Sequence, residues 1–97
     1  METRIFIPES KPPQSITEVM TALRSQKLKP QHQKKDWGDW ILIPSTETVI
    51  AIESVRGMAS SATVESVENE WELNQKILAV FAKLGWMGED DEGPYPL

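Results

Sequence analysis

Trp37 to Ile43 and Thr48 to Val55 are rich in β-branched and aromatic residues, and between them lies Pro44-Ser45-Thr46-Glu47, a run of turn formers. This spacing predicts an antiparallel hairpin. With the turn centred on Ser45-Thr46, Ile43 faces Thr48, Ile41 faces Ile50 and Asp39 faces Ile52. Side chains alternate across a strand, so one face takes Ile41, Ile43, Ile50 and Ile52. The other takes Trp40, Leu42, Val49, Ala51 and Val55. A hairpin apolar on both faces needs cover on both, because monomers rarely expose an apolar patch of more than a few hundred Å².

The remaining segments supply part of that cover. Thr3 to Pro8 reads as a short strand, stopped by Pro8 and followed by the stiff Lys11-Pro12-Pro13 link. Ser15-Ile16-Thr17-Glu18 fits a capping box, and Ile16, Val19, Met20 and Leu23 make one helical face behind it. That helix is expected from about Ile16 to Gln26, with Pro30 beyond its end. Gln31 to Lys35 lacks periodicity and reads as loop or the frayed entry to a strand. Arg56 to Thr63, small and polar around Gly57, reads as a loop. A long helix is expected from Val64 or Val67 to Leu84, with acids early and Lys76 and Lys83 late, as the helix dipole favours. Gly85 suits a left-handed terminator that folds Trp86 back near Phe81. Trp71 and Trp86 are expected in core and helix-end packing.

The order strand, helix, strand, strand, helix predicts a two-layer α+β domain, β-α-β-β-α, with a small mixed sheet packed on two helices. The first helix would be a right-handed crossover between parallel neighbours. Residues 1–88 form this domain, and 89–97 form an acidic tail containing Pro and Gly, extended or partly mobile. Three strands with both helices on one face leave Trp40, Leu42, Val49 and Phe6 uncovered. Either the helices divide between the faces, or the spare face meets another chain.

Several function classes fall away. Ninety-seven residues suit one core, and the absence of Cys excludes disulfides, thiolate zinc sites and a Cys nucleophile. No apolar run approaches the roughly 20 residues of a membrane span, and no apolar segment follows a basic tip at the start, so the chain reads as cytoplasmic. There is no phosphate-binding glycine loop, no Gly-x-Ser-x-Gly and no His-Glu-x-x-His. His32, Asp36 and Asp39 match no metal spacing, and Glu89 to Glu92 lacks the alternation of a calcium loop. Asp39 and Glu53 fall on opposite hairpin faces in this register, which argues against a carboxylate pair. A site near Asp36, Asp39 and Ser54 is all that remains for catalysis, so the reading is no enzyme, no cofactor and no metal.

Charge is polarised. Residues 1–35 hold seven basic and three acidic side chains, whereas 36–97 hold three basic and twelve acidic. Arg24, Lys27, Lys29, Lys34 and Lys35 form a basic stretch beside Asp36-Trp37-Gly38-Asp39-Trp40. The resulting expectation is a non-enzymatic interaction module that binds a protein partner or its own copy through the apolar sheet face. Trp40, Leu42 and Val49 would anchor it, with Trp37 and the basic stretch as a rim that steers an acidic partner. The alternative is single-stranded nucleic-acid binding through residues 24–35 and Trp37, where cations track phosphates and aromatics stack on bases. No membrane and no small-molecule ligand is inferred.

Overall fold

The computed structural model describes residues 1–97. In chain order it contains β1 (Glu2–Phe6), β2 (Gln14–Ser15), α1 (Ile16–Ser25), β3 (Gln31–Lys35), β4 (Gly38–Leu42), β5 (Val49–Val55) and β6 (Met58–Glu65). A 3₁₀ turn at Glu68–Glu70 leads into α2 (Trp71–Lys83), and the chain ends with β7 (Met87–Asp90) and β8 (Gly93–Pro96). The class is α+β: two helices and an eight-stranded antiparallel sheet.

The central hairpin has the expected register, with Ile41 opposite Ile50 and Asp39 opposite Ile52. The capping box is present too. Ser15 Oγ accepts from the Glu18 amide at 3.0 Å, and the Glu18 carboxylate accepts from the Ser15 amide. Ile16, Val19, Met20 and Leu23 are all buried.

The sheet itself corrects the expectation of a small mixed one. Its order is β3-β4-β5-β6-β1-β7-β8, with β2 paired to β6, and every pair is antiparallel. β1 lies between β6 and β7, so α1 carries the chain to the far edge of the sheet and not to a parallel neighbour. The difference comes from Met58–Glu65, which is a central strand and neither loop nor helix. Two of its three inward residues, Ala59 and Ala62, give only methyl groups to the core and only the third, Val64, is β-branched, so it carries little of the usual strand signal. Arg56 (φ 55°) and Gly57 (φ 76°) make the two-residue turn before it, both in the left-handed region that matches strand twist.

Two further segments are strands. Gln31–Lys35 pairs with β4 despite its polar run, because an edge strand with exposed side chains needs no apolar period. The 89–97 segment is no tail: β7 and β8 form a hairpin that extends the sheet beyond β1, and a boundary at residue 88 would cut β7. Asp90 Oδ1 accepts from the Glu92 amide at 2.8 Å in its turn, and Tyr95 lies against Gly88, where a Cβ would stand 2.3 Å from the ring.

The second helix begins at Trp71, later than the spacing suggests, and buries Asn74, Ile77, Val80 and Phe81. Trp71 at its first residue is 58% exposed, which corrects its placement in the core. Trp86 packs as expected. Beyond Gly85 (φ 93°) its ring meets Phe81 edge-on at 5.0 Å, and its Nε1 donates to Gln14 Oε1 at 2.8 Å. The preceding 3₁₀ turn is fastened to the hairpin by Glu70. Its carboxylate accepts from the Glu47 amide at 3.1 Å and from the Thr48 hydroxyl at 2.8 Å. Glu70→Ala is expected to lose about 2 kcal/mol in urea denaturation, since bonds to a charged acceptor are worth roughly 1.5–3 kcal/mol.

Ile5, Ile41, Ile50, Ile52, Ala62 and Val64 share one sheet face and join the buried residues of both helices in a single cluster. Both helices therefore cover the same face. No helix is long and apolar enough to cross a membrane.

Candidate interaction surface

The uncovered face follows from the register. One row across it runs Gln33, Trp40, Ala51, Thr63, Arg4 and Glu89. A second runs Leu42, Val49, Glu65 and Glu2, and a third Glu53, Ser61, Phe6 and Met87. Trp40, Leu42 and Val49 thus share the open face, each half-buried. Val55, 75% exposed, pairs with Met58 at the tip of the β5–β6 hairpin and widens the apolar part. Met58 and Met87 were not legible as members of this face, because β6 and β7 were not legible as strands.

Trp37 sits in the turn between β3 and β4, 49% exposed, and meets Trp40 edge-on with centroids 6.4 Å apart. Lys35 Nζ lies 4.2 Å from the Trp40 ring centroid, a cation–π contact. The Trp40 ring is therefore held in place from two sides by its own chain.

The five basic residues do not gather into one patch. Arg24 lies in the last turn of α1, and Lys27 (φ 62°) and Lys29 (φ 52°) lie in the link to β3. Lys34 and Lys35 point to opposite faces: Lys34 Nζ is 3.8 Å from Asp39 Oδ2 on the helix side, and Lys35 is over Trp40 on the open side. Lys34 and Lys35 flank the β3 edge from its two sides.

Asp39 is the most buried acid, 1% exposed. Its place depends on Gly38, which lies so close to β5 that a Cβ would stand 2.1 Å from the Ile52 carbonyl oxygen. Ser54, two residues beyond Ile52 on the same face of β5, donates its hydroxyl to Asp39 Oδ2. His32 Nε2 donates to Oδ1 at 2.5 Å. Burial pushes the Asp39 carboxyl up, but the Ser54 and His32 hydrogen bonds and the charges of Lys34 and His32 outweigh it, leaving its pKa below the ordinary value. Ser54 bonds the carboxylate and not the imidazole, so these residues lack the serine-to-histidine link of a nucleophilic triad. They tie β3, β4 and β5 together. Asp36 is not part of the cluster, and no three His, Cys, Asp or Glu side chains converge anywhere in the chain.

Comparison with protein-family models, curated proteins and solved structures gives no match for this chain.

Proposed function

We propose that this chain is a cytoplasmic, non-enzymatic interaction module whose open sheet face binds another protein surface, in the first instance a second copy of itself. The observation that carries this reading is the placement of both helices on one face of the sheet. The other face keeps Phe6, Trp40, Leu42, Val49, Val55, Met58 and Met87 without a covering layer.

Size and charge support the second copy. Seven strands of four to eight residues, about 4.8 Å apart and about 13–26 Å long, offer a face of roughly 600 Å² in projection. A standard interface takes about 800 Å² of accessible surface from each partner, so the face is of the required order. Arg4 and Lys35 share it with Glu2, Glu53, Glu65 and Glu89, so two copies related by a two-fold axis can set cations against acids. The half-buried Trp40 ring, already fixed by Trp37 and Lys35, gives a rigid anchor that loses little entropy on binding.

Sedimentation equilibrium tests the reading. The chain is expected to dimerise reversibly, and Trp40→Ala to weaken the dimer about 30-fold or more with the helical circular dichroism unchanged. A wild type monomeric at all concentrations, or a Trp40→Ala chain that unfolds, would remove Trp40 from this role.

A further inference from the structure

We propose that the β3 edge is an open slot for one additional strand, and that its occupant is an extended acidic segment of another protein. This surface is the backbone edge of the sheet, distinct from the open face and independent of it.

β3 ends the sheet order and pairs only with β4. Alternate N–H and C=O groups of an edge strand point away from its neighbour, and no backbone or side-chain group of this chain bonds those of Gln31–Lys35. The strand holds no Pro, no Gly and no bulge, and four of its five residues are exposed. The opposite edge differs. β8 carries Pro94 and Pro96, which have no N–H to give, so half of its residues cannot donate to an incoming strand. One edge is blocked and the other is left open.

Charge selects the occupant. Lys34 stands on the helix side of the edge and Lys35 on the open side, with Lys27 and Lys29 just upstream. An added strand presents its side chains alternately to the two faces, so acids on either face come within reach of a cation. Asp39 is engaged by Ser54, His32 and Lys34, which leaves Asp36 as the acid next to the slot. A second β3 fits poorly. Antiparallel pairing centred on Gln33 sets His32 against Lys34 and Gln31 against Lys35, crowding four lysines from two copies along one seam. The acids of a second copy's β7–β8 hairpin lie in β7 and its turn, beside the edge strand that Pro94 and Pro96 block. The same lysines that keep copies apart thus attract an acidic strand.

The test is fluorescence anisotropy with the whole chain and a labelled peptide, Glu-Glu-Val-Thr-Val-Glu-Glu. Saturable binding is expected, weakening as salt rises to about 0.15 M. An analogue with alternate amides N-methylated keeps every charge but cannot pair, and is expected to bind about tenfold more weakly or worse. The exposed pair Lys27→Glu/Lys29→Glu should weaken the parent peptide about fivefold or more. Hydrogen exchange of the complex should show new protection confined to Gln31–Lys35. The proposal is overturned if both peptides bind equally, if no saturable binding occurs, or if oligo-dT displaces the peptide while β3 amides gain no protection.

Discussion

Gly38→Ala is expected to destabilise the chain by about 3 kcal/mol, at the upper end for overpacking, and to lower Tm by about 12–24 °C. The added Cβ would stand 2.1 Å from the Ile52 carbonyl oxygen and 3.2 Å from the Ser54 amide nitrogen. Both are backbone atoms of the neighbouring strand, so no side chain can swing aside. Relief requires β4 and β5 to separate, which disturbs the pairing of Gly38 with Glu53 and the Asp39–Ser54 bond beside it. Gly57→Ala is the control. It has open space around it and carries only the left-handed backbone penalty, roughly 1–2 kcal/mol. Thermal melts in which the two variants fall equally would mean that the close approach imposes no constraint of its own.

Asp39→Ala is expected to lose about 2–3 kcal/mol in chemical denaturation. Two charge-assisted hydrogen bonds disappear, and the Ser54 hydroxyl loses its acceptor. The figure stays below the roughly 3–5 kcal/mol for breaking a buried ion pair, because the partners can turn to water: the His32 side chain is 37% exposed and Lys34 more so. The Lys34 contact, at 3.8 Å and largely solvated, adds little. The pH dependence has a definite sign. The folded carboxyl has a lowered pKa, so the unfolded chain takes up the proton first as pH falls. The Asp39 contribution is complete above the ordinary value of about 3.9 and fades below it. Wild type and Asp39→Asn should therefore converge as pH falls below about 3.9. A difference that grew below about pH 4 would reverse the assignment.

The parts of the fold legible in the sequence were those with a complete local signal. The central hairpin has β-branched runs and a marked turn, and α1 has both its cap and its stripe, so register and boundaries followed. β6 was hidden because Ala59, Ser60, Ser61 and Ala62 say nothing in isolation; their inward methyls make sense only beneath two helices. Its loss made the sheet look like three strands and placed the start of α2 too early. The Arg56-Gly57 turn was the available clue, since a Gly between two alternating runs is a hairpin signal. β7 and β8 were obscured by four acids and two prolines, which describe an edge as well as they describe a tail.

The site shows the same division. Alternation in one hairpin was enough to put Trp40, Leu42 and Val49 on a common face. Alternation also sends Lys34 and Lys35 apart, but a segment read as loop has no faces, so the basic stretch looked continuous. The Asp39–Ser54 tie follows from that alternation too, since Asp39 faces Ile52 and Ser54 lies two residues on, whereas Glu70 acts across 22 residues and leaves no pattern in the linear order.

The most direct test of the open-face reading is a concentration series of ¹⁵N–¹H spectra, from about 20 µM to about 1 mM, the range in which a weak dimer forms. Shifts are expected to concentrate on the uncovered rows, at Trp40 including its indole, Leu42, Val49, Ala51 and Thr63, with the amides of α1 and α2 unmoved. Spectra independent of concentration, or changes confined to the helices, would contradict it.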